Sequence, residues 1–338
     1  MTDMKTKNRI LITVLILNAV CVSTLYAKTK KNEAQTAPIW VTDEGRNKLF
    51  PKSEYLTATA YGSSDTDAKA KAAQEINGTI KSSIESNVTS EYYASESGGN
   101  VTSRKSISEN VDITADNTLF QLEYTVPFYS PDYGMYVCVA YINRAKAFTT
   151  VKPKLDKALS LFPKTYKAAL EVEDTFEKIL AIQNAQNLLK EFYEVYDFAL
   201  VVAPDKTQSY ASVDTLGSAS FVKVNELKNE IAITVQVEGD SNNQIYDKIT
   251  EAFTSRNFIV VKNGAYDYKA KVTVSTAISE TQETYQTYPS ISVEVLSGAN
   301  TKYSFSKQLG KVAGFDEATA VRRSYQNLCK AIEEEFLK

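Results

Sequence analysis

The chain has 338 residues, 43% hydrophobic and 23% charged, with a formal net charge of -3. Such a balance excludes a disordered chain, and without excess basic charge the protein is poorly suited to neutralising a nucleic-acid backbone. There are no histidines, so the commonest catalytic triads and zinc sites lack their usual residue.

The first 27 residues read as an export signal. Lys5, Lys7 and Arg9 precede the apolar run Ile10 to Val20, and Leu25-Tyr26-Ala27 offers a small-residue cleavage site. The run is short for a bilayer span, which needs about 20 apolar residues. Cys21 follows Asn18-Ala19-Val20 and is the candidate lipidation site of a lipoprotein signal. Lipidation at Cys21, cleavage near Ala27 and retention as an uncleaved anchor stay open as alternatives. Residues 28–37, with Lys28, Lys30 and Lys31, form a polar tether.

Residues 38–150 read as the first folded domain. Trp40 and Phe50 bracket a short helix or loop, and Tyr55 to Tyr61 is a strand. Gly62 follows, and Asp65 or Asp67 is expected to cap a helix in which Ala72, Ile76, Ile80, Ile84 and Val88 recur every four residues. That helix runs to about Tyr93, before Gly98-Gly99-Asn100. An extended, partly exposed strand is expected within Val101 to Asp116. Leu119 to Phe128 and Tyr133 to Ile142 form the strongest strand pair, joined by Ser130-Pro131-Asp132-Tyr133-Gly134.

Residues 151–205 read as a helical spacer, with one helix ended by Pro163. Residues 206–338 form a second domain. Its expected strands are Ile231 to Val237, a buried Phe258 to Val261, Tyr268 to Thr276, Ile291 to Leu296 and Lys302 to Leu309. A helix capped by Asp240 or Ser241 carries Ile245, Ile249 and Phe253, and a last helix carries Val321, Tyr325, Leu328, Ile332 and Phe336. The fold class is therefore α+β: two domains, each an antiparallel or mixed sheet packed by helices on one face, joined by a helical spacer. "YGSSDTDAKAK" and "AGFDEATAVRR" share a glycine, an acidic cap and an alanine-bearing helix start.

Chemistry-bearing patterns are sparse. A phosphate cradle needs several glycines and a lysine before Ser or Thr; Gly62 is followed instead by Ser63, Ser64, Asp65 and Asp67, which complement the helix dipole and repel phosphate. Two S-x-x-K matches, Ser220 to Lys223 and Ser304 to Lys307, lack the companion motifs of serine–lysine hydrolases. Asp240-Ser241-Asn242-Asn243 lacks the glycine and distal glutamate of a calcium loop. No catalytic, cofactor or metal residue is assigned. Cys138 and Cys329 read as two small buried hydrophobes rather than a disulfide. Among 21 tyrosines, Tyr92, Tyr93, Tyr285 and Tyr288 lie near a helix end or in a polar stretch between strands and form the candidate interaction surface.

Pro38-Ile39-Trp40, Phe50-Pro51, Tyr55-Leu56, Tyr61-Gly62, the helix with Ala68, Ala72, Ile76 and Val88, and the closing "YVCVAYINR" resemble the LPP-twenty family of bacterial envelope lipoproteins over about residues 37–150. The strand–alanine-helix pattern is also similar to modules of the flagellar ring assembly protein, and the second domain loosely to those of the curli secretion lipoprotein. The resemblance implies a non-enzymatic role in the envelope, as a surface lipoprotein or scaffold. The expectation is an exported protein, in the periplasm or associated with the outer membrane. Its partners would be other envelope proteins, within a large envelope assembly. Membrane contact is expected only through a lipid anchor or uncleaved signal. A glycan- or peptidoglycan-binding module and a hydrolase with a non-histidine site are the alternatives.

Overall fold

The computed structural model describes residues 36–94, 121–240, 242–280 and 284–337, with side chains left out over 85–94. The signal, the tether through residue 35, Cys21 and the strand expected at Val101 to Asp116 lie outside the described residues. Among the described residues the architecture is α+β, helices with one antiparallel and one mixed sheet. Residue contacts group the chain into two compact units, one of residues 1–75 and 123–141, the other of 76–122 and 142–338.

In the first unit a 3-10 turn, Ile39–Val41, leads into α1, Asp43–Leu49. Thr42 caps α1, accepting from the Gly45 amide at 3.1 Å. Strand β1, Tyr55–Gly62, enters α2, Asp65–Ala94. The cap is Ser64, whose hydroxyl accepts from Asp67 N at 3.1 Å, rather than either aspartate. Asp67 reaches back to the Ser63 amide at 2.8 Å, a reciprocal arrangement that satisfies two amides at the helix start. These bonds hold the Asp67 carboxyl below its usual range, the Ser63 amide first and Lys71 next. Of the predicted stripe, Ala72, Ile76 and Ile80 are buried and Ile84 half-buried, while the side chain of Val88 lies outside the described residues.

The expected strand from Leu119 to Phe128 is instead two short strands, β2 (Leu122–Tyr124) and β3 (Phe128–Ser130). Pro127 has no amide for a ladder. Thr125 bridges the gap, donating its amide to Val139 O and accepting from Val139 N through its hydroxyl, at 2.9 and 3.0 Å. β3 pairs antiparallel with β4, Met135–Asn143, in register Phe128 to Val137 and Tyr129 to Tyr136. Gly134 takes φ 60° in the connecting turn. The sheet order is β1-β4-β2, with β3 also on β4. Val137 to Ala140 are all fully buried, so β4 is covered on both faces. On one of them Val137 and Val139 pack with Trp40 and Phe128.

The second unit takes α2 from Ile76 onward and resumes at Ile142; its next helix is α3, Arg144–Leu170, which runs through Pro153 and Pro163. Pro163 does not end it: Phe162 and Tyr166 are buried on either side and stack at 5.6 Å, so packing holds the helix together. α4, Thr175–Val202, lies antiparallel to α3, and Lys154 with Glu194 and Lys157 with Glu191 tie the pair at 3.1 and 2.8 Å. The Arg144 guanidinium donates to Val201 O and Val202 O at 2.7 and 3.2 Å, a cation on the carbonyl end of α4. α5, Ala211–Asn229, crosses α4 closely at Gly217, where an added Cβ would stand 2.5 Å from the Tyr193 hydroxyl.

The six-stranded mixed sheet follows. β5 (Ala232–Glu238) is parallel to β6 (Ile259–Val260) and to β7 (Tyr268–Glu280). β8 (Tyr285–Ser297) pairs antiparallel with β7, β9 (Asn300–Gln308) and β10 (Val312–Gly314). Pro289 sits inside β8. β9 pairs from Ser290 onward and β10 up to Thr287, so the proline falls in the gap between them, where no amide is needed. α6 (Gln244–Thr254) and α7 (Glu317–Glu335) complete the unit, α7 packing on β8 and β10. Asp316 caps α7 at the Thr319 amide, 2.7 Å. Asp240 serves α6 from outside, its carboxylate accepting from the Ile245 and Tyr246 amides at 2.9 Å each. The strand expected as buried at Phe258 to Val261 is a two-residue edge with Ile259 exposed; only Phe258 enters the core.

Candidate functional site

Of the four candidate tyrosines, only Tyr285 and Tyr288 have side chains among the described residues. The side chains of Tyr92 and Tyr93 lie outside the described residues. Tyr285 and Tyr288 lie within β8, not between strands, because Thr287, Pro289 and Ile291 extend its inward alternation to the strand's start. Tyr288 points from the outer face, 48% exposed. Tyr285 is half-buried and bonded to Glu280 at 3.2 Å, and that carboxylate raises its phenol.

The structure gathers other tyrosines. At the β3–β4 turn, Tyr129 is 49% and Tyr133 64% exposed, with Met135 and Val126 also open to solvent. Tyr133 packs on Tyr61 of β1, ring centroids 5.2 Å apart, and Tyr129 on Tyr136 at 5.3 Å. From Tyr124 to Asn143 the only charged residue is Asp132. The result is an exposed aromatic tip whose hairpin carries a single charged residue. Sequence reasoning identified the turn but not the tip's exposure. Alternation puts Tyr129 and Tyr136 on the face opposite Phe128 and Val137, but Cys138 and Ala140 on that same face are buried, so the period alone does not give the exposure of the tip.

A second feature is a half-open groove of about 550 Å³ between the loop before α6 and the first turns of α7. Asn242, Gln244, Glu317, Val321, Arg322 and Tyr325 line it. The Tyr325 hydroxyl donates to Gly239 O at 2.6 Å. Nearby, Phe315 is 84% exposed under the Arg323 guanidinium, 5.8 Å from its ring centre.

The S-x-x-K pairs are not brought together. Ser220 is buried in α5, donating to Gly217 O at 2.6 Å and accepting from Gln186 at 3.1 Å, while Lys223 turns to Glu226. Ser304 is exposed on β9, and Lys307 pairs with Glu335 at 2.6 Å. Asp112 and Asp116 lie outside the described residues. Among the described residues, no group of three or more Cys, Asp or Glu could hold a metal ion, and no helix is long and apolar enough to cross a membrane. Cys138 and Cys329 are both free thiols; Cys138 is buried, but Cys329 is half-buried, its thiol against Gln244 O on the rim of α7's apolar stripe. Burial raises both thiols.

Lys228 is the one lysine among the buried polar residues described, 5% exposed at the end of α5, with its ammonium over the Phe258 ring at 5.1 Å. Burial, with Arg256 adding repulsion, pushes its pKa down to about 8. A folded value below the ordinary one means that the fold disfavours the ammonium. The penalty is full below pH 8 and fades as pH rises toward the unfolded value. Lys228→Met should therefore raise the unfolding free energy at pH 7 by about 1–2 kcal/mol, the cation–π contact offsetting part of the linkage. Denaturant unfolding at pH 7 and pH 10 checks this: the gain should shrink at pH 10, and an equal gain at both would refute it.

No family model and no curated protein matches the chain. Solved structures similar to it include the secreted protein HP1454 from Helicobacter pylori, at 12% identity and a TM-score of 0.34, covering 83% of this chain and 98% of that one. Protein XCC0632 from Xanthomonas campestris, described with the family DUF330, is similar at 13% identity and a TM-score of 0.24, over 31% of this chain and 79% of that one. The lipoprotein GNA1162 from Neisseria meningitidis is similar at 10% identity and 0.22, over 31% and 99%. At these values the likenesses carry no functional argument, and no comparison bears out the resemblance to the LPP-twenty family.

Proposed function

We propose that this chain is an exported bacterial envelope protein that acts by contact rather than catalysis, as an interaction module or scaffold. Export rests on the basic start at Lys5, Lys7 and Arg9 and the apolar run from Ile10 to Val20. The contact role rests above all on the aromatic tip at Tyr129, Tyr133 and Met135, because exposed aromatic clusters of this kind are the usual anchors of an interface. The periplasm or the outer-membrane side is the compartment this reading assigns, with envelope components as partners.

A photo-crosslinking amino acid in place of Tyr133, irradiated in intact envelopes, tests it. Adducts that vanish when the crosslinker is moved to the exposed end of the other unit, at Glu334, support the reading. No adducts at position 133 would sink it. The intact mass of the native protein fixes the N-terminus: a mass beginning at Cys21 with acyl chains means a lipoprotein, and one beginning near Lys28 without lipid means a freely exported protein.

A further inference from the structure

We infer that the β3–β4 tip is a lipid-interface contact, resting in the headgroup layer of a bilayer; the inference rests on the envelope reading above and names the partner of that surface. Three observations carry it. The first is composition. Exposed Tyr61, Tyr129 and Tyr133, with half-buried Tyr136, gather around a turn that also exposes Val126 and Met135. Amphipathic rings of this kind partition to the membrane–water interface.

The second observation is charge. Asp132 is the single charged residue from Tyr124 to Asn143, so the hairpin itself brings one carboxylate to the headgroups, with Asp65 and Asp67 following Tyr61 at the start of α2. The other exposed aromatics are differently placed: Phe315 lies under Arg323, and Tyr285 bonds Glu280. The acidic residues there also predict a preference. The tip should favour zwitterionic headgroups over anionic ones.

The third is where the rest of the chain enters. The apolar segment Ile10 to Val20 is joined to Trp40 of this unit through residues 21–39, which can span at most about 65 Å. The chain arrives at Trp40, which packs with Phe128 and Val137. Those two residues immediately adjoin Tyr129 and Tyr136. Whatever holds the N-terminal segment at a bilayer therefore holds the aromatic tip within reach of it. A weak second contact then gains a high effective concentration, and stable surface anchoring characteristically takes two signals.

The test uses the full chain carrying Tyr133→Trp on phosphatidylethanolamine vesicles, with and without bromine-labelled acyl chains. Trp40 is buried in the core and serves as the internal reference. The expected result is a shift of the new emission to shorter wavelength and its quenching by the brominated lipid, both reduced when phosphatidylglycerol replaces much of the phosphatidylethanolamine. Asp132→Asn should weaken that lipid preference. Vesicle-bound protein with unquenched emission at position 133 would overturn the inference. The crosslinking experiment separates the two failures: protein adducts alone at position 133 refute the lipid contact and leave the interaction module standing, whereas no adducts refute both.

Discussion

Replacing Gly62 with alanine is expected to destabilise the first unit by about 3 kcal/mol or more, an overpacking cost paid by backbone rather than by a flexible side chain. The added methyl would lie 2.2 Å from the Ala68 amide nitrogen and 2.7 Å from the Ala68 Cα. Neither can move without unwinding the first turn of α2, whose cap depends on Ser64 and Asp67. Gly314 stands in the same relation to α7, its methyl falling 2.4 Å from the Ala320 amide and 2.8 Å from Asp316 O. In both places a strand ends on glycine and the helix start folds back against it, six residues on, at an alanine. Gly314→Ala should accordingly cost the second unit a comparable amount. The control is Gly134→Ala, where φ is 60° and nothing lies within 4 Å of the new methyl; left-handed backbone there costs only about 1–2 kcal/mol. Denaturant unfolding of the three variants decides the matter. Gly62→Ala no less stable than Gly134→Ala would refute the close-approach explanation.

Phe336→Ala is expected to lower the stability of the second unit by about 3–5 kcal/mol, the usual range for emptying a fully buried phenylalanine site. Phe336 follows α7 directly and is completely buried. Its ring meets Phe253 of α6 edge-on at 5.4 Å, and Tyr303 and Phe305 of β9 at 5.8 and 5.6 Å. One side chain thus joins a helix, an edge strand and the end of the last helix. The Tyr303 hydroxyl also accepts from the Leu337 amide at 3.1 Å, pinning the chain beyond it. Calorimetry should show a loss confined to the second unit. Phe336→Leu, which keeps much of the volume, should lose considerably less. A Phe336→Ala protein that melts with the parent would show that the ring is not a fastening point.

The amino-acid sequence by itself determined the α+β class, the helix with Ala72, Ile76 and Ile80 on one face, the turn around Pro131 and Gly134, and the last helix. Each is specified by residues within a few positions of one another: a period, a cap, a left-handed glycine. The paired glycine–acid–alanine starts were also legible, although their cause, a methyl-sized clash with the returning helix, needed coordinates. Tertiary structure alone decided the rest. Pro163 carries the local chemistry of a helix end, yet packing of Phe162 and Tyr166 carries α3 through it. Pro289 looks like a strand breaker, yet β9 and β10 leave its amide position unpaired. Lys228 looks like a surface lysine until Phe258 arrives over it from the β6 edge. The candidate site divides in the same way. Which tyrosines are exposed depends on which faces distant segments cover: Trp40 covers the Phe128 and Val137 side of the hairpin, while Tyr129 and Tyr133 stay open. Local sequence sets conformation over a turn or a strand, whereas exposure is fixed only when segments far apart in the chain compete to cover the same surface.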